Sequence, residues 1–304
     1  MKHMRTLLRW LAILILGVLP ALAQAGPPPP VAIGFYLPAV RDVPRKDVEV
    51  TLRFWIEEIA NSMSLTYEPI EFYDDLGALR RDMQAGKINY VVGTAMGLVQ
   101  HFTDEELADG FGGAKLTPDH LLVVVRRDAG INKLHDLAGS RIQLLDRDEL
   151  SEIYLETLLM QGGITERQLK SVHKQRSAGS LVLKLFFDQG DAALITRNAF
   201  EVAVALNPQI GARLKVLDAY TFKGRVPTIG LFSAKLSPEH REAITSAALK
   251  LDKSARGRQV LEIYQTDALV RNSVAELRPY RELLATHDML KGMSAGKGPK
   301  PSDD

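Results

Sequence analysis

The chain has 304 residues, of which 25% are charged, 46% are hydrophobic and none is cysteine. These proportions match ordinary globular proteins and exclude a disordered chain, and the lack of cysteine excludes disulfides, thiolate metal sites and lipid attachment through a thioether. With 38 basic residues against 37 acidic ones, there is no basic field of the kind that draws nucleic acid.

The N-terminus reads as an export signal. Lys2, Arg5 and Arg9 precede an apolar run from Trp10 to Leu19, which closes on Ala21-Leu22-Ala23-Gln24-Ala25. The run is shorter than the ~20 residues a spanning helix needs, and Ala23 and Ala25 supply the small residues of a cleavage site. Residues 1–25 are expected to be removed. A retained membrane anchor is the alternative, but no stop-transfer flank follows. Cleavage after Ala25 leaves 279 residues with 35 basic and 37 acidic side chains, a net charge of −2. That length lies near the ~250–300 residues at which one core stops growing, so two lobes are expected. Gly26 to Pro30 is a proline-rich spacer.

The folded part begins at Val31. Val31 to Tyr36 reads as a buried strand, and Val50, Phe54, Ile56, Ile59, Ala60 and Met63 follow with helical spacing. Thr66 to Phe72 is a second strand. Tyr73-Asp74-Asp75 then leads into a helix that buries Leu76, Leu79 and Met83 and ends at Gly86, where a left-handed residue is favoured. The strand Ile88 to Val92 stops at Gly93-Thr94. His101 to Lys115 reads as a polar surface helix or loop, and its Gly110-Phe111-Gly112-Gly113 as a flexible turn without the spacing of a phosphate loop.

Leu121 to Val125 is a β-branched strand, and Asp136-Leu137-Ala138-Gly139 introduces another over Arg141 to Leu145. A helix from Glu149 to Met160 closes at Gly162-Gly163, and Thr165 with Gln168 forms a capping box for a short helix. Ser177 caps a helix burying Leu181, Val182, Leu185 and Phe186, which ends at Gly190 before the strand Ala192 to Ile195 and the turn Thr196-Arg197-Asn198. Arg225 to Phe232 is a strand. Ser237-Pro238 starts a helix with Ala243, Ile244, Ala247 and Leu251 on one face. From Ser294 the chain has no apolar anchor and reads as a disordered tail.

Two of these stretches resemble each other. LRRDMQAGKINYVVGT and LKLFFDQGDAALIT each give a helix, a glycine, a buried strand and a threonine at the strand's carboxyl end, with the glycines 104 residues apart. In open α/β sheets ligands collect beyond such strand ends. Gly93 would let a ligand approach the backbone, and Thr94 and Thr196 would offer hydroxyls. Equally, both threonines have the position and chemistry of helix caps.

The order of elements, with Tyr73-Asp74-Asp75, AGKINYVVGT, Asp136-Leu137-Ala138-Gly139-Ser140-Arg141, FFDQGDAALIT and VPTIGLFSAKLSPEHREAI, resembles the periplasmic phosphate/phosphonate-binding proteins of ABC transporters over Val31 to Leu251. The resemblance implies an α/β, two-lobed type II periplasmic binding fold, each lobe a mixed sheet flanked by helices. It places one lobe at 31–120 with 225–293 and the other at 121–224. Two crossings, near 118–125 and 222–228, form the hinge. It further implies a soluble periplasmic receptor that closes on a small polar, phosphate- or phosphonate-like ligand and serves an ABC permease or a membrane sensor, with no cofactor, metal or catalysis. The ligand positions it implies are Tyr36, Tyr73, Asp74, Thr94, Ala95, Met96, Arg147, Asp148, Ser151, Thr196, Arg197 and Asn198.

One stretch departs from the family pattern. A serine/threonine-rich turn is replaced by Asp146-Arg147-Asp148-Glu149-Leu150-Ser151, which sets Asp148 and Glu149 at the positive end of a helix that an anion would use. Two other functions stay open on the residues alone: a carboxylate enzyme using Asp74 with Asp148, and a ligand-free interaction protein whose own acidic turn fills the cleft. The histidines, His101, His120, His135 and His173 among them, show no metal-ligand spacing.

Overall fold

The computed structural model describes residues 30–295, apart from 41–43, 64–65, 115–119, 223, 225–227, 264–265 and 267. The export signal, all but Pro30 of the spacer, and residues 296–304 of the expected tail lie outside the described residues.

Strand β1 (Ile33–Tyr36) is followed by α1 (Arg45–Met63). This helix buries Val48, Leu52, Ile56 and Ala60, a row at four-residue spacing. The expected Val50 and Phe54 are instead 61% and 46% exposed, because two residues on from Val48 is about 200° around the helix; the side chains of Ile59 and Met63 lie outside the described set. Strand β2 is short (Glu71–Tyr73). Asp75 then caps α2 (Leu76–Gln84), accepting from the Gly77 and Ala78 amides at 3.1 and 2.9 Å, and Leu76, Leu79 and Met83 are buried as expected. Gly86, at φ +79°, ends that helix in the left-handed region.

Strand β3 (Tyr90–Thr94) runs straight into α3 (Ala95–His101), with Thr94 as cap. Gly93 does not open the backbone to a ligand: a Cβ there would lie 3.1 Å from Leu98 Cδ2, so the space holds the helix's own leucine. The segment expected as a polar surface loop or turn contains β4 (Leu107–Ala108) and β5 (Gly110–Ala114). Its glycines are required by contact. A Cβ on Gly110 would sit 2.6 Å from the Gly230 carbonyl oxygen, and Phe111 stacks on Tyr90 with ring centres 4.8 Å apart. A strand made of glycines and one aromatic carries no alternation to read.

The next strands are β6 (Leu121–Arg126) and β7 (Arg141–Leu145), followed by α4 (Glu149–Gln161). Thr165 and Gln168 form the expected capping box on a single turn of tighter helix. Strand β8 (Ser171–Gln175) is an edge strand with no buried residue, which is why its polar sequence does not announce it. Then come α5 (Ala178–Phe186), capped by Ser177, β9 (Ala192–Thr196), α6 (Arg197–Leu206), α7 (Pro208–Arg213) and β10 (Leu214–Val216). Arg197 and Asn198 form the first turn of α6 rather than a loop.

The chain ends with β11 (Thr228–Ser233), α8 (Pro238–Ala248), α9 (Ala255–Ile263), β12 (Ala268–Asn272) and α10 (Arg278–Ala295). Ser237 caps α8 through the His240 amide at 3.3 Å. That helix buries Ile244, Thr245 and Ala248, while the expected Ala243 is exposed. Helix α10 extends two residues into the expected tail.

Two five-stranded sheets result, ordered β2-β1-β3-β11-β4 and β10-β6-β9-β7-β8. Read from opposite ends they are one topology. In each, a central strand (β1 or β7) is parallel to both neighbours, and the third strand (β3 or β9) pairs antiparallel with the strand that enters from the other sheet (β11 or β6). The chain changes sheets between Ala114 and Leu121 and again between Val216 and Thr228. Leu121 and Phe222 bridge these two passages. Beside them Phe222 packs between Tyr154 and Tyr280, at 5.6 and 5.1 Å. Helix α10 packs on both α3 and α4, and its Tyr280 and Leu283, with Leu277 just before it, are buried in an apolar core shared with Leu98, Leu155 and Leu158.

Candidate functional site

The carboxyl ends of β1, β2 and β7, the first turn of α4 and strand β8 line an open cavity of about 550 Å³. Tyr36, Pro38 and Asp74 line it from the first sheet, and Asp146, Arg147, Glu149, Glu152 and Lys174 from the second. The wall therefore carries four carboxylates and two cations.

Its centre is a contact between the two sides. Tyr36 Oη donates to Glu149 Oε1 at 2.7 Å, and Thr94 Oγ1 donates to Glu149 Oε2 at 3.4 Å. Thr94 is 5% exposed and also accepts from the Gly97 amide at 3.1 Å, so one hydroxyl both caps α3 and reaches across the cleft. Glu149 is the first residue of α4, where the unpaired amides of a helix start favour a carboxylate. Around this contact the charges are largely matched. Arg45 Nη1 holds Asp74 at 2.6 Å and its Nε holds Glu49 at 2.7 Å. Lys174 is bonded to Glu152, and this bond, with the charges of Glu152 and Asp146 behind it, raises the ammonium above its ordinary pKa against a smaller opposing effect of burial. Arg147 sits at φ +55°, is exposed, and has no hydrogen-bonding or ion-pair partner among the described residues.

Of the residues singled out in the sequence, Tyr36, Asp74 and Arg147 line the cavity and Thr94 joins them through Glu149. Tyr73 turns the other way and donates to Asp82 Oδ2 at 2.9 Å; burial and that bond push its phenol up. Ala95 and Met96 are buried in α3, each 1% exposed. Ser151 is fully buried and donates to the Asp148 carboxylate. Asp148 does not line the cavity, so it makes no acid/base pair there with Asp74. Thr196 caps α6 through the Ala199 amide at 3.4 Å, Arg197 pairs with Glu201 at 3.6 Å, Asn198 is exposed, and none of the three lines the cavity.

Pro38, Asp146, Glu149, Glu152 and Lys174 were absent from the expected set. The acidic turn gave a signal for Glu149, since its place at a helix start was legible. Lys174 gave none, because it lies on the polar edge strand. Among the described residues no group of three or more acidic or histidine side chains is set to hold a metal ion, and no helix is long and apolar enough to cross a membrane.

Two sheets of one topology, joined by two adjacent passages and sharing a polar cavity at their strand ends, define a two-lobed binding protein of the type II periplasmic class. Solved structures share this fold at low identity. XAC2383 from Xanthomonas citri bound to ATP superimposes with a TM-score of 0.60 at 13% identity, covering 86% of this chain and 98% of that one. A binding protein component of an ABC phosphonate transporter from Pseudomonas aeruginosa gives 0.58 at 14%, covering 91% and 92%. PhnD1 from Prochlorococcus marinus in complex with methylphosphonate gives 0.56 at 13%, covering 86% and 98%. No curated protein sequence matches the chain. A family model described as ABC transporter, phosphonate, periplasmic substrate-binding protein matches residues 62–277. The chain belongs to that family of periplasmic solute-binding proteins of ABC transporters.

Proposed function

We propose that the protein is the solute receptor of an ABC importer, exported with cleavage after Ala25, whose lobes at 31–120 with 225–293 and at 121–224 close on a small polar solute and present it to a membrane permease. The solute sits in the cavity between the strand ends, against Tyr36, Asp74, Thr94 and Arg147 with Glu149, Glu152 and Lys174. The observation that carries this reading is that one cavity is lined from both sheets at once, so a solute touching both walls favours the closed arrangement by its contacts to each. Asp148 is engaged by Ser151 outside the lining, so the pairing of Asp74 with Asp148 on which an enzyme in this cleft would rely has no support in the geometry.

A thermal-shift screen with methylphosphonate, inorganic phosphate, taurine, putrescine and free amino acids tests it. A solute present at ~100 times its dissociation constant stabilises by about 2.7 kcal/mol, and that solute is expected back unchanged after incubation. Recovery of a converted product would overturn the receptor reading in favour of an enzyme.

A further inference from the structure

We infer that Glu149 sets the charge selectivity of this cleft: its carboxylate already takes the hydroxyl donors an oxyanion would need, so the protein turns away phosphonate and phosphate and admits a solute that presents a cation. The inference rests on the cavity being the solute site.

Tyr36 and Thr94 stand on the first sheet's side, and both donate to one carboxylate arriving from the other side, at 2.7 and 3.4 Å. A hydroxyl has a single proton. An incoming phosphonate oxygen therefore finds both donors engaged, and it must also approach a full negative charge. The neighbouring cations offset this charge only in part. Lys174 is committed to Glu152 and Arg45 to Asp74 and Glu49, which leaves Arg147 against the two carboxylates Asp146 and Glu149 in the lining.

An ammonium or guanidinium group meets the opposite situation. Such a group carries donors only, so it does not compete with Glu149 for the proton of Tyr36 or Thr94, and its charge is opposite to that of the carboxylate. It therefore adds to the contact between the lobes instead of breaking it.

The experiment is calorimetric titration of the purified protein, Glu149→Ala and Glu149→Gln with methylphosphonate and with putrescine, alongside the radius of gyration of each ligand-free protein by X-ray scattering. Glu149→Ala is expected to bind methylphosphonate about 100-fold more tightly than the wild type, a gain in the range that removing a close like charge gives, and to bind putrescine more weakly. Glu149→Gln, which keeps a side chain of the same shape without the charge, is expected to gain methylphosphonate binding as well. The ligand-free Glu149→Ala protein is expected to have the larger radius. Equal methylphosphonate affinity in all three proteins, or binding of neither probe by any of them, overturns the inference. In the wider screen, a solute that stabilises wild type and Glu149→Ala equally also sinks the role of Glu149 and leaves the receptor intact, whereas no solute stabilising either protein sinks the receptor reading itself.

Discussion

The unit running from α2 through β3 to α3 and the unit running from α5 through β9 to α6 are built alike and used differently. Three landmarks keep one offset of 102 residues between them: the helix caps Asp75 and Ser177, the left-handed residues Gly86 and Asp188, and the threonine caps Thr94 and Thr196. The glycines that invite alignment in the sequence are 104 apart and do not correspond. In the second unit Asp188, at φ +59°, does what Gly86 does in the first, and Gly190 instead fits against Gln143, where a Cβ would lie 2.7 Å from Cγ. Beyond the threonines the units diverge. Helix α3 is roofed by α4 and α10 and buries Ala95 to Val99, so Thr94 faces Glu149. Helix α6 packs on α5 and α7, has no fully buried residue, and exposes Val202 and Leu206. Local chemistry repeats the scaffold, and what covers the second helix decides which threonine meets the cleft.

The largest test of that difference is in the helices themselves. Leu98, fully buried in α3, should cost about 2–5 kcal/mol when replaced by alanine, whereas Leu206→Ala, at a side chain 83% exposed in α6, should stay within about 0.5 kcal/mol. Urea unfolding of the two variants measures both, and similar losses would erase the distinction between the units. Next in size is the left-handed turn. Gly86→Ala places a Cβ at φ +79° and is expected to cost about 1–2 kcal/mol, with Gly86→Asn less harmful because asparagine tolerates that region. If the two variants are equally destabilised, the constraint is not the backbone.

The threonine pair separates scaffold from site. Each cap contributes about 1 kcal/mol, so Thr94→Ala and Thr196→Ala should lower stability by similar amounts. Only Thr94→Ala should also change the affinity for whichever solute the screen finds, because only Thr94 touches Glu149. Thr94→Ser keeps both roles and should behave as wild type. A solute affinity that falls equally in Thr196→Ala would mean that both strand ends reach the ligand.

Much of the scaffold could be read because it depends on local signals. Asp75, Ser177 and Ser237 cap helices through their own side chains, and Leu79, Met83, Leu181 and Leu185 mark buried faces by spacing alone. The site was harder for a physical reason. Strand β5 is held by backbone pairing and glycine contacts, β8 by pairing on one side, and neither writes a hydrophobic period. Tyr36, Lys174 and Glu149 lie in separate elements, and only the superposition of two sheet edges brings them together. Position 188 shows the limit most plainly. An aspartate there holds a conformation that favours glycine while bonding to Arg126 and Arg141, so its role is fixed by long-range partners rather than by its neighbours in sequence.

The smallest expected effect concerns protonation and again distinguishes the two units. At the end of α3 stands His101, and the equivalent position in α6 is Ala203. Burial lowers the pKa of His101, partly opposed by the charges of Asp75 and Glu149 and reinforced by Arg80. In the unfolded chain the same imidazole titrates near its ordinary ~6.5. Between that value and the lower one in the folded protein, the unfolded state binds more protons, so stability falls as pH is lowered through this window and is fully present above it. Replacing His101 with asparagine should flatten the stability curve from about pH 6.5 downward until the acidic groups begin to titrate. Glu149 is among the groups that favour the charged imidazole, so Glu149→Ala should depress His101 further, and the loss, still beginning near pH ~6.5, should become larger and extend to lower pH. Nuclear magnetic resonance titration of the His101 ring in both proteins reads this directly. An unchanged midpoint would mean that the carboxylate at the cleft is too well screened to be felt at the end of α3.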